Sequence, residues 1–278
     1  GYELLRLLAT HNDVSIRYLF SSSLNGKKVS DHIPFYGNLP DFFESFDVKK
    51  DWDDIDVLFL AIPHAESHKF MSDLMGKSFK IIDLSADFRL SDADTFESYY
   101  DVSHASSHLL SQFVYGLPEL YKDKLMSASY CANPGCYSTS IILGLYPLIL
   151  NSFDIDSVVV DAKSGVSGAG KSLKPSSMFC EVNEHFMSYS TGSHRHLSEI
   201  KEQLNLDLLF SPHLIPMNRG IFSSHYIRFK SQYTFSSILT AYKDFYDNKP
   251  FVSVFENFNS PSTKYVYGTN HCFISLFW

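Results

Sequence analysis

Val57-Leu58-Phe59-Leu60-Ala61 is an uninterrupted apolar run with the length of a strand that is buried on both faces. The pattern after it predicts a helix over residues 67–75 and a further strand at Lys80-Ile81-Ile82-Asp83. Before it, residues 3–8 have helical spacing and residues 14–20 predict a strand. Alternating apolar strands and helices are typical of a parallel α/β sheet, so the first half of the chain is predicted to form one.

The second half of the chain has a different pattern. Residues 91–124 lack a regular period and predict a long surface excursion, after which residues 138–150 predict a buried helix. The later predicted elements are strands at residues 158–162, 221–230, 265–267 and 272–277 and a helix at residues 235–247. This order predicts an α+β domain with a mainly antiparallel sheet.

Size and composition exclude several classes of protein. The chain has 278 residues, enough for two domains, and its 45% hydrophobic and 19% charged content is that of a globular protein. A net charge of −8 argues against a nucleic-acid binder, and no apolar stretch is long enough to cross a bilayer. The cysteines, Cys131, Cys136, Cys180 and Cys272, have neither disulfide-framework nor zinc-site spacing, so no metal is expected. A cytoplasmic location is predicted.

Cys136 is the most informative of these cysteines. It follows Asn133-Pro134-Gly135, a turn signal, and stands where the helix predicted at residues 138–150 would begin. Unpaired N–H groups at a helix N-terminus favour an anion, so a thiol placed there can be a nucleophilic thiolate at neutral pH. A free cysteine is as often a buried structural residue, and spacing alone leaves both interpretations open.

Two further motifs have a chemical interpretation. Residues 165–172, GVSGAGKS, fit the phosphate-binding pattern G-x-x-x-x-G-K-[ST], but Pro175 would interrupt the helix that this loop requires, which disfavours a nucleotidase. In His194-Arg195-His196 a near-neutral base adjoins a planar cation, which suits an anionic substrate. Glu199 lies three residues after His196 and could orient its ring, although a solvated charge cluster has the same pattern.

Six segments follow one another in a specific order. They are IIDLSADFRL (81–90), VYGLPEL (114–120), ANPGCY (132–137), DAKSGVSGAG (161–170), HRH (194–196) and PHLIPMNRG (212–220). In this order the segments resemble the N-acetyl-gamma-glutamyl-phosphate reductases, a family of the aspartate-semialdehyde dehydrogenase-like superfamily. The resemblance spans essentially the whole chain and favours the nucleophile interpretation of Cys136.

The resemblance implies a Rossmann-type NADP-binding domain over residues 1–133 and a catalytic and oligomerisation domain over residues 134–278. It implies that the Cys136 thiolate attacks an acyl phosphate, that phosphate leaves, and that the thioester is reduced with NADPH in a step of arginine biosynthesis. The implied catalytic residues are Cys136, His196 and Glu199, and the implied substrate-binding residues are Arg195, Arg219 and Asn133. A homo-oligomer, either a tetramer or a dimer, is also implied.

The implied cofactor-binding residues are Gly1, Ser21, Ser22, Ser23, Lys27, His64, Ser85, Ser167 and Gly168. Residues 21–23 and Lys27 stand where the adenosine ribose is read, and hydroxyls with a lysine suit the 2′-phosphate of NADP. His64 and Ser85 follow later strands, whose carboxyl ends form the ligand crevice of such sheets. The loop of Ser167 and Gly168 would lie along the nicotinamide and the pyrophosphate.

The two ends of the chain differ from the family pattern. The family begins with a strand and a glycine-rich turn, of which only Gly1 remains, and it continues beyond Trp278, so the chain is expected to be an incomplete representation of a longer protein.

Three alternatives remain beside this interpretation. A reductase for carrier-bound aminoadipyl phosphate would use the same catalytic residues. A truncated paralogue would bind a metabolite or partner without catalysis, and a P-loop ATPase is the third alternative. No nucleic-acid or membrane partner is expected.

Overall fold

A computed structural model of the chain describes residues 1–33, 38–50, 52–170, 175–258 and 260–278. These residues form two compact units. Unit 1 comprises Gly1–Phe96, Val102–Tyr115 and Lys124–Asn133, whereas unit 2 comprises Glu97–Asp101, Gly116–Asp123 and Pro134–Trp278. Lys171 and Ser172 of the GVSGAGKS pattern lie outside the described residues.

Unit 1 is built on a parallel sheet. Its strands are β1 (Val57–Leu60), β2 (Lys80–Asp83), β3 (Val114–Tyr115) and β4 (Tyr130–Ala132), in the order β1-β2-β4-β3 with every pairing parallel. The helices of this part of the chain are α1 (Tyr2–Leu8), α2 (Met71–Leu74), α3 (Ala93–Tyr100) and α4 (Pro118–Ser127). The apolar residues predicted to form strands at 57–61 and 80–83 do so, and they bury Leu58, Leu60 and Ile81 in the core.

Three local predictions for unit 1 are wrong. Residues 14–20 form no strand and contribute only an isolated bridge between Phe20 and Glu44, because Phe20 packs edge-on against Phe46 and Trp52. The helix predicted at 67–75 is divided into a 3₁₀ turn, Ser67–Lys69, and the short α2. The predicted surface excursion at 91–124 contains α3, β3 and the start of α4, and it buries Phe96, Leu109, Leu110 and Leu117.

Unit 2 contains a mixed sheet. Its strands are β5 (Ile155–Ser164), β6 (Met187–Ser188), β7 (Leu209–Leu214) and β8 (Ile221–Phe229), in the order β6-β7-β5-β8. The pairings of β6 with β7 and of β5 with β8 are antiparallel, as predicted, whereas β5 and β7 are parallel. A separate parallel pair is formed by β9 (Val252–Glu256) and β10 (Cys272–Leu276). The strand predicted at 265–267 is absent, since that region begins with the 3₁₀ turn Thr263–Tyr265.

The remaining helices belong to unit 2. These are α5 (Cys136–Leu150), α6 (Phe179–Val182), α7 (His196–Leu204) and α8 (Phe235–Tyr246). The apolar α5 packs against α7, α8 and β8, as expected for a helix that is hydrophobic on most of its surface. Within β5, Val158, Val160 and Ala162 are buried. No helix among the described residues is long and apolar enough to cross a membrane.

Candidate active site

Cys136 is the first residue of α5, a helix of 15 residues, and its side chain is exposed. Gly135 forms the N-cap with extended backbone angles, φ −67° and ψ 150°, and its carbonyl accepts the N–H of Thr139 at 2.9 Å. The first-turn N–H groups of a helix have no intrahelical acceptor and form its positive end. The Cys136 sulfur therefore lies at the position that favours a thiolate, as the turn signal predicts.

His196 lies beside this helix start. It is the first residue of α7, and a β-carbon placed on Gly135 would come within 2.5 Å of His196 Nε2. The imidazole therefore packs directly on the backbone that precedes Cys136, where only glycine leaves room. The Ser138 hydroxyl also donates to the His196 carbonyl at 3.5 Å, so the first turns of α5 and α7 are in contact.

Glu199 is held inside this arrangement. Its side chain is 1% exposed, and its Oε2 accepts the N–H of Gly135 at 3.0 Å. A buried carboxylate is stable only when donors surround it, and the Gly135 amide is one of them. Glu199 thus accepts a hydrogen bond from the residue before Cys136, a contact that the sequence interpretation missed. The Gly-Cys pair in ANPGCY is the only signal for it, since a glycine beside a reactive residue often marks a close approach.

His194 supports His196 from the other side. The N–H of His196 donates to His194 Nδ1 at 3.1 Å, and the two rings are 4.7 Å apart. Burial, reinforced by the neighbouring Arg195 cation, lowers the pKa of His194 to about 4. His194 is therefore neutral at physiological pH and places no positive charge beside His196.

The predicted substrate-binding residues lie in different surroundings. Arg195 is exposed, and its guanidinium carbon lies 5.1 Å from the centre of the Tyr100 ring, a cation–π arrangement within unit 2. Arg219 is exposed in the turn that precedes β8. Asn133 donates its N–H to the Asp83 carbonyl at 2.8 Å, at the end of β4 in unit 1. Their roles toward a substrate stay predictions.

The glycine-rich loop after β5 is anchored to the loop that contains Arg219. Ser167 donates its N–H to the Asn218 carbonyl at 3.0 Å, and Gly165 donates to the Gly220 carbonyl at the same distance. A β-carbon on Gly165 would come within 2.7 Å of the Asn218 carbonyl oxygen, so these two loops require glycine there. Ser167 and Gly168 are exposed and leave their surface open to a flat ligand.

The predicted cofactor residues of unit 1 differ in their exposure to solvent. Gly1, Ser22, Ser23, Lys27 and His64 are exposed, while Ser21 is half-buried with its hydroxyl 3.4 Å from that of Ser23. Ser85 is buried, and its hydroxyl donates to Asp83 at 2.9 Å. His64 follows β1, and its Nδ1 accepts the N–H of Ala86 at 2.9 Å.

Ser67, Asp83 and Asp87 form a buried polar cluster with Ser85 that the sequence interpretation did not single out. The two aspartates stand four residues apart, at and just after the carboxyl end of β2, in the segment IIDLSADFRL. The sequence feature that could have predicted this polar site is the presence of carboxylates at the end of a buried strand.

Comparison with known proteins places this geometry in a family. Residues 1–128 match the family described as "Semialdehyde dehydrogenase, NAD binding domain", and residues 136–278 match "Semialdehyde dehydrogenase, dimerisation domain". The N-acetyl-gamma-glutamyl-phosphate reductase of Alkaliphilus metalliredigens is 42% identical over 99% of this chain and 82% of the relative. That of Campylobacter jejuni serotype O:2 is 43% identical with the same coverage.

Solved structures share the fold at low sequence identity. Aspartate semialdehyde dehydrogenase II from Vibrio cholerae superimposes with a TM-score of 0.70 at 14% identity, over 99% of this chain and 84% of that chain. Aspartate semialdehyde dehydrogenase with NADP from Candida albicans gives a TM-score of 0.66 at 13% identity, over 95% of this chain and 81% of that chain. The NAD-binding match identifies the cofactor class as a nicotinamide dinucleotide. The chain therefore belongs to the semialdehyde dehydrogenase family and, within it, to the N-acetyl-gamma-glutamyl-phosphate reductases, which are oxidoreductases.

Proposed function

We propose that this protein catalyses the NADPH-dependent reductive dephosphorylation of N-acetyl-gamma-glutamyl phosphate to N-acetyl-glutamate semialdehyde, a step of arginine biosynthesis. The observation that carries the proposal is an exposed cysteine at the positive end of α5, with His196 Nε2 packed on the backbone of Gly135. The names of relatives at 42–43% identity support the substrate.

The proposed chemistry begins at the Cys136 sulfur. The thiolate attacks the acyl carbon, a sulfur–carbon bond forms, and the carbon–oxygen bond to phosphate breaks with its electrons leaving on phosphate. A nicotinamide cofactor held by the residues of unit 1 would supply the hydride that reduces the thioester carbon. The resulting hemithioacetal oxyanion collapses, the carbon–sulfur bond breaks, and the aldehyde leaves while the thiolate is regenerated.

His196 manages the protons of this sequence. Its Nε2 lies next to Gly135 and hence next to the first turn of α5. From there it takes the thiol proton before attack and returns a proton to the departing phosphate. Glu199 fixes the same segment through Gly135, and N–H groups of the helix start stabilise the oxyanion. Arg195 and Arg219 are proposed to bind the carboxylate or phosphate, because a guanidinium fork suits both anions.

The residues of unit 1 fit a nicotinamide dinucleotide. The carboxyl ends of β1 and β2 carry the exposed His64 and its loop, and such edges are where parallel sheets bind ligands. The exposed hydroxyls of Ser22 and Ser23 with Lys27 support a preference for the 2′-phosphate of NADP. The backbone of Glu44 pairs with that of Phe20 in an isolated bridge, close in sequence to these serines. The Glu44 carboxylate lies 2.6 Å from the Lys50 ammonium group, so its negative charge is neutralised locally and does not oppose a phosphate.

The proposal extends to the organisation of the protein. Residues 1–133 would bind the cofactor, whereas residues 134–278 would provide catalysis and contacts with further copies of the chain. The printed description of the family over residues 136–278, a dimerisation domain, supports a homo-oligomer. A cytoplasmic location is part of the same proposal.

The test is phosphate-dependent reduction of NADP with N-acetyl-glutamate semialdehyde, using the full-length protein. We expect turnover in the wild type, a preference for NADP over NAD, and near-complete loss in Cys136→Ala. Retention of most activity by that variant would rule out the cysteine mechanism. Faster turnover of the one-carbon-longer aminoadipate semialdehyde would instead overturn the substrate.

A further inference from the structure

A chain of polar side chains connects helix α5 with strand β8 in unit 2. The hydroxyl oxygen of Ser140, on α5, lies 2.7 Å from that of Ser223, on β8. The Ser223 oxygen also lies 3.1 Å from Nε2 of His225, two residues further along the strand. All three residues are half-buried. The proposed reaction uses none of them.

The surroundings of this polar chain are apolar. Its two members on β8 pair across the sheet with fully buried residues of β5, Ala162 and Val160. Burial lowers the pKa of His225 to about 4, so the ring is neutral at physiological pH. A neutral imidazole and two hydroxyls can supply one hydrogen to each of the two contacts in either direction along the chain. The chain is therefore satisfied without a charged group.

A second contact between the same elements lies one turn further along α5. A β-carbon on Gly144 would overlap the His225 ring, so the ring packs directly against the helix backbone. Ser140 and Gly144 are four residues apart, on one side of the helix. Their partners on β8 are two residues apart, on one side of the strand. Helix and strand are thus joined at two successive positions.

The spacing of the two contacts is the same on both elements. Four helical residues rise about 6 Å and two strand residues span about 6.6 Å, so both contacts fit at one position of the helix along the strand. Apolar packing has no direction, whereas a hydrogen bond weakens steeply with distance and angle. The polar chain therefore specifies the register of α5 on β8, as a single buried polar residue specifies the register of a coiled coil.

This register extends to the candidate active site at the beginning of α5. Cys136 lies four residues before Ser140, one turn away on the same side of the helix. Both elements run in the same direction through the two contacts, so the Cys136 end of α5 lies toward the beginning of β8 at Ile221. Arg219 stands two residues before that strand. The register of α5 therefore determines where the sulfur lies relative to the Arg219 loop.

We propose that Ser140, Ser223 and His225 are positioning residues for Cys136. They hold α5 at one register on β8 and so keep the sulfur at its place beside the proposed base and the substrate. The inference rests on the proposed function in taking Cys136 as the nucleophile, and it adds the residues that place this nucleophile. None of the three contacts the substrate or transfers a proton in the reaction.

Two alanine substitutions and their combination test the contact between the hydroxyls. Ser140→Ala and Ser223→Ala are each expected to lower kcat about tenfold, because a misplacement of 1 Å costs about 100-fold and a smaller one costs part of it. The double variant should lose no more than the larger single loss, since both changes remove the same contact.

A conservative variant should restore the function of the chain. Ser223→Thr keeps a hydroxyl on a β-branched residue that suits a strand, so its kcat should stay within about threefold of wild type. KM for NADP should stay within about twofold of wild type in every variant, because the substitutions leave unit 1 unchanged. Phosphate-dependent reduction of NADP by the full-length protein measures both constants.

Alkylation of Cys136 separates positioning from a loss of stability. Iodoacetamide labelling of the full-length protein is followed across pH by mass spectrometry of the peptide that contains Cys136. In Ser140→Ala, a sulfur displaced from its base should be labelled about threefold more slowly at neutral pH, and at the wild-type rate once the thiol is ionised at high pH. A destabilised fold would instead label faster and would expose the partly buried Cys131 and Cys272, and that result would contradict the inference.

Ser211→Ala is the matched control. Ser211 lies on β7 of the same sheet, and its hydroxyl is 3.3 Å from that of Thr191, a contact that does not involve α5. This variant should keep the wild-type kcat and the wild-type labelling rate of Cys136. If Ser223→Ala does not fold, Ser140→Ala decides alone, because alanine is the strongest helix former.

Several outcomes would overturn the inference. They are a wild-type kcat in the folded Ser140→Ala variant, additive losses in the double variant, a loss in Ser223→Thr as large as in Ser223→Ala, and an equal loss in Ser211→Ala. Full activity of Cys136→Ala would refute the proposed cysteine mechanism itself, which is a different outcome. An inactive Cys136→Ala beside a fully active Ser140→Ala would leave that mechanism standing and remove only the positioning role.

Discussion

Gly135 shows how the absence of a side chain leaves room for a neighbouring imidazole. It has ordinary backbone angles, so alanine could adopt its conformation, but the added β-carbon would lie 2.5 Å from His196 Nε2. We therefore expect Gly135→Ala to displace the imidazole by about 1 Å and to lower kcat by about 100-fold, the usual effect of misplacing a catalytic group. Steady-state kinetics and the pH dependence of Cys136 alkylation would measure this displacement.

Gly76→Ala provides a control for that variant. Gly76 has a left-handed φ of +75° and open space around its α-carbon, so alanine there introduces backbone strain without a clash. It should cost about 1 kcal/mol of stability while kcat is retained. If both glycine variants lost activity equally, steric displacement of His196 would not be the explanation.

The residues of the candidate active site differ in how far the sequence predicts their positions. Turn signals place Cys136 at a helix start, and the structure confirms that helix. The bond between Glu199 and Gly135 joins residues 64 positions apart, and no local pattern specifies such a pair. The same limit applies to the hydrogen bond between Ser67 and Asp87, which are 20 positions apart and follow the ends of β1 and β2. Motif order indicates the family, whereas the hydrogen bonds around the candidate site depend on packing between distant segments.

Among the secondary-structure elements, α5 contains a proline that alters its hydrogen bonding. Pro147 has no N–H, so the Leu143 carbonyl four residues earlier loses its helical donor. The hydroxyl of Tyr246, on α8, donates to that carbonyl. Tyr246→Phe should leave a buried carbonyl without this donor and lower the free energy of unfolding by about 1–3 kcal/mol, measured by urea denaturation.

Two further variants test that explanation. Tyr242→Phe removes a hydroxyl that donates to the Gly144 carbonyl, which keeps Leu148 as its helical donor, so its loss should be smaller. In Pro147→Ala the N–H at residue 147 is restored, and the additional effect of Tyr246→Phe should then shrink. An undiminished effect of Tyr246→Phe in the Pro147→Ala background would show that the hydroxyl does not replace the missing helical bond.

The local sequence pattern predicts the elements that are continuously apolar or amphipathic. It fails where side chains pack in a cluster and the backbone does not pair with a neighbouring strand. The strands β1 and β2 and the helix α8 are predicted within one or two residues, since each has an unbroken apolar or amphipathic pattern. Phe20 belongs to a segment with strand-like residues, yet its ring packs into an aromatic cluster and the segment forms no strand. The parallel pairing of β5 with β7 is equally unpredictable locally, because a long crossover that contains α6, β6 and α7 separates the two strands in sequence.

At the scale of the whole protein, the exposed face of the mixed sheet bears on how copies of the chain associate. Val159, Leu209 and Tyr226 are adjacent on β5, β7 and β8, and they are 38%, 52% and 62% exposed. Three neighbouring apolar side chains on one sheet face form a patch of the kind that marks a protein interface. Because the matched family over residues 136–278 is described as a dimerisation domain, we propose that a second copy of this chain covers the patch.

Tyr226→Asp should therefore change the oligomeric state. Two copies related by a twofold axis would each bury the introduced carboxylate against an apolar surface without a partner, which opposes association. Light scattering coupled to size-exclusion chromatography should show the wild type as an oligomer and the variant at half its mass or less at the same concentration. Met126→Asp is the matched control, since Met126 is 71% exposed on α4 and outside the sheet. A Tyr226→Asp protein that keeps the wild-type mass, or a Met126→Asp protein that dissociates equally, would place the interface elsewhere.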